Sequence, residues 1–469
     1  MRAARVVGVG ALVVALAGGA YLTADAYDVA PGVLTLAPVP SPARPFPTAP
    51  GAVPAPDPKP VLTALDPAVE RPSAAGVQAL VAALLADARV GSTAGVVVAD
   101  ALTGQVLAQN LPDEPHTPAS TAKLVTAVAA LSQLDASTTL PTRVVSGSGN
   151  QLVLVGGGDM MLAAGAGDPT AVDGRAGLAD LAAQVAKKLT LAGTTTVTLG
   201  VDDTLFSGPG LSPAWVPSDV AAGYAARVSP LAIDVAKMAA GEYPPRYPDP
   251  AMQAAGQFAA RLTELGITVT GKPARASADA GASELGAVQS APLPEIVEYF
   301  LHTSDNTIAE VVARLVAIKM GLPGSFDGAS QSVLRAAGQL GADTSRAQLV
   351  DGSGLGTGSA LPPTLLMHLI ELVIDPTHPT LRQIAIGMPI GGLSGTLSDR
   401  FTSAPTRGLV RAKTGSLPHV TALAGTVVDA DGRQLVFVVL ADQTPDGGQW
   451  GPRAAIDGFV AKLQACGCR

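Results

Sequence analysis

The chain has 469 residues, 48% of them hydrophobic and 14% charged, which is enough for two or three domains with sizeable cores and excludes a largely disordered polymer. Its 30 basic residues stand against 38 acidic ones, net −8, with no basic block and only 3% aromatics, which excludes nucleic-acid binding driven by charge or base stacking. Two cysteines cannot build a disulfide framework or a thiolate zinc site.

Arg2 and Arg5 precede a 17-residue apolar run from Val6 to Leu22, followed by the small-residue sequence Ala24-Asp25-Ala26. This pattern fits a cleaved signal peptide or a signal anchor over residues 1–30, with the uncleaved anchor preferred. Either places the rest of the chain outside the cytoplasm, in the cell envelope or secreted, with membrane contact only through this segment. Residues 31–60 hold eleven prolines, which rule out a helix or a central strand. As an extended spacer at about 3.1 Å per residue, they would reach roughly 90 Å.

Beyond the spacer, apolar spacing predicts a helix from Ala75 to Ala88, a buried strand from Ala94 to Ala99 and a return strand beginning at Gln105. A helix follows Thr117-Pro118-Ala119-Ser120-Thr121-Ala122-Lys123 to about Leu131. The stretch from Thr142 to about Ala280 is rich in glycine, with strand-like pieces at Gln151–Val155 and Thr194–Leu199 and one amphipathic helix near Leu178–Leu189. Helical patterning then runs from Leu293 through Lys319 and recurs at Ser330–Leu340 and Pro363–Ile374. The C-terminal part predicts strands at Leu409–Lys413, Val420–Val428 and Gln434–Leu440 and a closing helix at Pro452–Gln464. No fixed-period repeat is present. The fold class is mixed α/β.

Three short motifs carry chemistry. Ser120-Thr121-Ala122-Lys123 is an S-x-x-K at a helix start, Ser304-Asp305-Asn306 an S-x-N, and Lys413-Thr414-Gly415 a K-T-G on a strand. In this order they are the elements of penicillin-interacting serine enzymes. On a helix, Ser120 and Lys123 share a face, so the amine reaches the hydroxyl. A serine needs a base to become a nucleophile, and a lysine becomes one only when burial and a nearby cation disfavour its charge. Lys413 is expected to be that cation. Ser304 can relay a proton, and Asn306 offers an amide to Lys123 or to the acyl donor. Thr414 and Lys413 would hold a substrate carboxylate, Gly415 permits close backbone approach, and the N–H groups of Ser120 and Ser416 would form an oxyanion hole.

Each motif alone is weak, and Ser148-Gly149-Asn150 is a second S-x-N that reads as a turn. Among the nine lysines, however, only Lys123 follows a serine by three. The five histidines do not pair at metal-ligand spacing, no H-E-x-x-H or G-x-S-x-G occurs, and no cofactor or metal is implied. His302 and His419 flank the second and third motifs and read as satisfied polar groups. Cys466 and Cys468 are open to a local disulfide, an interchain disulfide or free thiols.

Over residues 75–465 the sequence resembles the D-alanyl-D-alanine carboxypeptidase/endopeptidase type of penicillin-binding protein, which has a long insertion between its first two motifs. Ser304 lies 184 residues after Ser120. Gly156-Gly157-Gly158-Asp159, Trp215 with Asp219 and Tyr224, Asp351-Gly352-Ser353-Gly354-Leu355 and Gly395-Thr396-Leu397 resemble further family segments. The insertion is shorter than usual, and Gly356-Thr357-Gly358 stands where the family carries a basic and an amide residue. The resemblance implies a transpeptidase-like domain of the penicillin-binding-protein/β-lactamase kind, an antiparallel sheet flanked by helices, formed by residues 61–140 and 281–469 and interrupted by a smaller domain over 141–280. It implies a serine-type carboxypeptidase acting on peptidoglycan stem peptides through an acyl-enzyme and inhibited by β-lactams. A DD-endopeptidase cleaving cross-links is the alternative, ahead of a β-lactamase or a non-catalytic penicillin-sensing wall protein.

Overall fold

The computed structural model describes residues 18–27, 29–30, 66–91 and 93–466. The chain divides into a unit of residues 1–63 and a unit of residues 64–469. In the first, residues 18–26 are helical. Most of the expected export segment, and the proline-rich spacer, lie outside the described residues. Among the described residues no helix is long and apolar enough to cross a membrane.

The second unit opens with α1 (Ala74–Leu85), capped by the Ser73 hydroxyl, which accepts from the Gly76 N–H at 3.2 Å. Strands β1 (Ala94–Asp100) and β2 (Val106–Asn110) form an antiparallel hairpin. Then come α2 (Ala122–Gln133), β3 (Pro141–Ser146), β4 (Gln151–Gly156), β5 (Asp159–Leu162), α3 (Leu178–Leu191), β6 (Thr196–Asp202) and β7 (Leu231–Ile233). The next elements are α4 (Pro250–Glu264), β8 (Thr268–Val269), β9 (Ala274–Arg275), β10 (Glu284–Gln289), α5 (Leu293–His302), α6 (Asn306–Lys319), α7 (Phe326–Gln339) and α8 (Pro363–Ile374). Strands β11 (Val410–Leu417), β12 (Val420–Val428) and β13 (Gln434–Ala441) precede the closing helix α9 (Trp450–Gln464).

The first sheet has five strands in the order β11-β12-β13-β1-β2, all antiparallel. Its alternating side chains enter two different cores, as a period of two requires. Ala422, Ala424, Val436, Val438 and Leu440 pack with α2, α5, α6, α7 and α8 on one face. Leu423, Val427, Leu435, Phe437 and Val439 pack with Val77 and Val81 of α1 and Phe459 and Val460 of α9 on the other. This is the antiparallel sheet with helices on both sides that the sequence led us to expect.

The second sheet follows the order β10-β3-β4-β6-β8, with β9 also on β6. It is mixed: β3 pairs antiparallel with β4 and β10, whereas β6 lies parallel to β4. α3 lies between β4 and β6 in the chain, as a parallel crossover requires. Leu181 and Val185 of α3 and Phe258 and Leu262 of α4 fill its core. The chain between the two sheets' elements returns to the first core, where Trp215, Ala226, Ala232 and Val235 are buried.

Two departures from the sequence reading have clear causes. α4 lies where only one amphipathic helix was expected; Asp249 caps it by accepting from Met252 N–H at 3.3 Å, and Pro250 supplies a preset first turn. The helical stretch from Leu293 to Lys319 is two helices, because Ser304 takes φ +58° and Asp305 starts α6 by accepting from Ile308 N–H at 2.8 Å.

Candidate active site

Ser120 lies in a 3-10 turn, Ala119–Thr121, that runs into α2. Ala119 takes φ +46°, a left-handed conformation that costs about 1–2 kcal/mol in a non-glycine residue and so has to be held by its surroundings. The Thr121 hydroxyl donates to the Pro118 carbonyl at 2.7 Å and fixes the turn. Lys123, fully buried, points back along the helix: its Nζ donates to Ser120 Oγ at 2.9 Å, to Asn306 Oδ1 at 2.6 Å and to the Ser353 carbonyl at 2.9 Å.

The second motif occupies the break between α5 and α6. Asn306 binds on both sides, since its Nδ2 donates to the Tyr224 carbonyl at 2.8 Å while its Oδ1 accepts from Lys123. Ser304 Oγ accepts from Lys413 Nζ at 2.9 Å. Lys413 is also fully buried and donates to the Thr414 carbonyl at 3.0 Å. Thr414 shares a hydrogen bond with Thr396 at 2.9 Å. A Cβ on Gly415 would lie 2.6 Å from the Pro118 carbonyl oxygen and 3.2 Å from Ala119 Cβ, so β11 is pressed against the turn that carries Ser120. Ser120, Ser304, Asn306, Thr414, Gly415 and Ser416 all line one cavity of about 1210 Å³. The structure thus brings every residue of the three motifs together. The decoy Ser148-Gly149-Asn150 is a turn with Gly149 at φ +60°, as expected.

The electrostatics bear on both buried amines. Burial lowers Lys123 from its ordinary value to about 8, and the carboxylates of Asp351, Glu310 and Asp305 limit the fall. Lys413 is pushed well below its ordinary value, by burial first and by the Lys123 charge second, with no carboxylate to offset it. Burial thus disfavours the charge on both amines, and the carboxylates oppose that effect at Lys123. The acidic groups stand on the Lys123 side.

Those acidic groups are structural as well. Glu310 accepts from the Gly352 and Ser353 N–H groups at 3.0 and 2.8 Å, which aims the Ser353 carbonyl at Lys123. Asp351 accepts from Trp215 Nε1 at 2.8 Å and from the Gly354 and Gly356 N–H groups at 2.7 Å each. Glu310 escaped the sequence reading. Its signal was a lone carboxylate in a buried helix, one turn after Asn306 and one before Arg314. His302 sits 3.4 Å from Ser394 Oγ, and His419 Nδ1 lies 3.1 Å from the Thr444 carbonyl, each with a polar partner. Cys466 is disulfide-bonded. Among the described residues no cluster of three or more His, Cys, Asp or Glu is arranged to hold a metal ion.

A helix-flanked antiparallel sheet with a cavity-facing serine hydrogen-bonded to a buried lysine at its edge defines a penicillin-binding, serine acyl-transfer class of protein. The model of the D-Ala-D-Ala carboxypeptidase 3 (S13) family matches residues 77–247 and 242–463, and the chain belongs to that family. It is similar to a carboxypeptidase of Mycobacterium tuberculosis, 37% identical over 88% of this chain and 90% of the relative. It is also similar to carboxypeptidase DacB of Mycolicibacterium smegmatis, 36% identical over 98% of this chain and 95% of the relative. Among solved structures, penicillin-binding protein 4 (dacB) of Haemophilus influenzae superposes with a TM-score of 0.69, covering 82% of this chain and 98% of that one at 23% identity. The fold is therefore that of the penicillin-binding proteins, and the enzyme class is serine-type D-Ala-D-Ala carboxypeptidase.

Proposed function

We propose that the carboxypeptidase reaction runs on Ser120, on peptidoglycan stem peptides ending in D-Ala-D-Ala. Ser120 Oγ attacks the penultimate carbonyl while Lys123 takes its proton. The C–N bond then breaks, the proton passes to the departing amine of D-alanine, and an ester on Ser120 remains. Water hydrolyses that ester, with Lys123 again as base. The N–H groups of Ser120 and Ser416 hold the oxyanion, and Asn306 holds Lys123 in place. One observation carries this reading: a fully buried amine lies 2.9 Å from a cavity-facing serine hydroxyl.

The substrate itself completes the base. Its carboxylate, bound at Thr414 and Ser416, favours the charged form of Lys413. Two buried cations repel, so Lys123 then gives up its proton. A positioned base of this kind contributes roughly 10²–10⁴ in rate.

In this reading residues 61–140 and 281–469 form the catalytic domain and 141–280 the insertion, supported by a first sheet drawn wholly from the former; β10 of the second sheet lies just past that boundary. The N-terminal basic and apolar segment supports a site of action outside the cytoplasm, tethered to the membrane through residues 1–30. β-Lactams would acylate the same serine, because their amide presents the same carbonyl. Incubation with a fluorescent penicillin and peptide mapping tests the reading: label on Ser120, absent from Ser120→Ala, is expected. Label on another residue, or none on folded protein, overturns it.

A further inference from the structure

The turn Asp234–Ala236, just before Lys237 on the cavity wall, is left-handed through three successive non-glycine residues. φ is +43° at Asp234, +50° at Val235 and +58° at Ala236. Sterics disfavour this conformation for any residue with a Cβ, and most of all for a β-branched valine. Such a turn persists only where its surroundings over-determine it, and turns of this kind cluster at functional sites. Val235 and Ala236 are fully buried, so the strain is held within the core.

Three polar contacts hold the turn. Lys237 Nζ pairs with Asp234 Oδ1 at 2.8 Å, and the Tyr247 N–H donates to the Ala236 carbonyl at 2.8 Å. The third comes from Arg246, whose Nη1 donates to the Val235 carbonyl at 3.0 Å. Arg246 also reaches a second segment: its Nε and Nη2 donate to the Gly223 carbonyl at 3.1 and 2.9 Å. None of the ion pairs among the described residues includes this half-buried cation, and its hydrogen bonds go to these two backbone carbonyls. A planar guanidinium fork can hold two carbonyls at a fixed angle, which a point-like ammonium cannot.

Gly223 precedes Tyr224, whose carbonyl accepts from Asn306 Nδ2. Gly223 takes φ +80°, and a Cβ there would lie 2.4 Å from the Pro244 carbonyl oxygen. The segment that carries Arg246 therefore also presses on this loop through its backbone. From the guanidinium the path to the base has two more links, Tyr224 to Asn306 and Asn306 Oδ1 to Lys123 Nζ at 2.6 Å.

We propose that Arg246 is a positioning residue for the reaction: by clamping the Gly223 carbonyl to the left-handed turn Asp234–Ala236, it sets the Tyr224 carbonyl that holds Asn306, and through Asn306 the Lys123 amine. The proposal rests on the reaction assigned above. It gives the strained turn a role, as the rigid anchor against which the second motif is aligned, and it gives a cavity-wall arginine a task that needs no contact with substrate.

The test is a double-mutant cycle on the full chain, read as release of D-alanine from a diacetylated lysyl-D-alanyl-D-alanine tripeptide. Arg246→Ala is expected to lower kcat on the order of 10-fold, within the cost of a misplacement of up to about 1 Å, and to leave KM within about twofold. Arg246 and Asn306 act through one path, so Arg246→Ala should cost little more when Asn306→Ala is already present. Arg246→Lys, which keeps the charge, should lose less than Arg246→Ala and show the same non-additivity; it carries the test if Arg246→Ala does not fold. Losses that add with those of Asn306→Ala, a loss confined to KM, or no loss at all overturn the proposal while Ser120 is still labelled by penicillin. Failure of the unsubstituted chain to be labelled on Ser120 overturns the assigned reaction, and this inference with it.

Discussion

Gly415 has no room for a side chain because the Pro118 carbonyl oxygen would lie 2.6 Å from its Cβ. This contact spans the gap between the first and third motifs, so the strand and the nucleophile's turn are positioned against each other by backbone. Gly415→Ala must push β11 or the Ala119–Thr121 turn aside. A shift of about 1 Å can cost about 100-fold in rate, so penicillin acylation of Ser120 should fall by that order. An unchanged rate constant would show that the strand and turn are not so tightly matched.

The pH dependence follows from Lys123. Its proton must leave before it can act as a base, and burial lowers that loss to about 8. Below that point kcat/KM should fall about tenfold per pH unit, and above it should level off. If substrate restores charge to Lys413, the corresponding limb in kcat should lie at lower pH than the limb in kcat/KM. Coincident limbs would count against a substrate-driven transfer of charge between the two amines.

Asn306 can be tested by changing charge at constant shape. Asn306→Asp places a carboxylate 2.6 Å from the Lys123 amine, judged by the present amide oxygen. An opposite charge favours the protonated amine, so the kcat/KM limb should move to higher pH. Asn306→Ala should leave the limb closer to its present position but lower the plateau, because Lys123 and the Tyr224 carbonyl each lose a partner. A pH–rate profile of both variants separates these effects.

Trp215→Phe keeps an aromatic ring but removes the donor that Asp351 receives at 2.8 Å. The carboxylate is fully buried, so the loss should cost about 1–3 kcal/mol of stability. Denaturant unfolding measures it. A change below about 0.5 kcal/mol would mean that the Gly354 and Gly356 N–H groups already satisfy the carboxylate.

The sequence made the site more legible than the fold around it. Ser120 and Lys123 could be read because helical spacing fixes their relation without knowledge of the rest. The first sheet was readable from alternating apolar strands, and β12 was located at its observed bounds, Val420–Val428. The break at Ser304 was hidden, since apolar periodicity on either side does not register one residue at φ +58°. α4 was hidden by its alanine and glycine content, although Asp249-Pro250 carried a start signal. The carboxylates that support the charge of Lys123 were not readable, since Glu310 and Asp351 reach it only through the fold.

The Asn306–Tyr224 hydrogen bond ties the second motif to a loop within residues 141–280, the stretch proposed above as an insertion. Trimming residues 141–280 to make a miniature enzyme would therefore do more than remove an appendage. It would delete the anchor that keeps Asn306 turned towards Lys123, together with the indole that braces Asp351. A shortened relative could keep the chemistry only by finding a new brace for each.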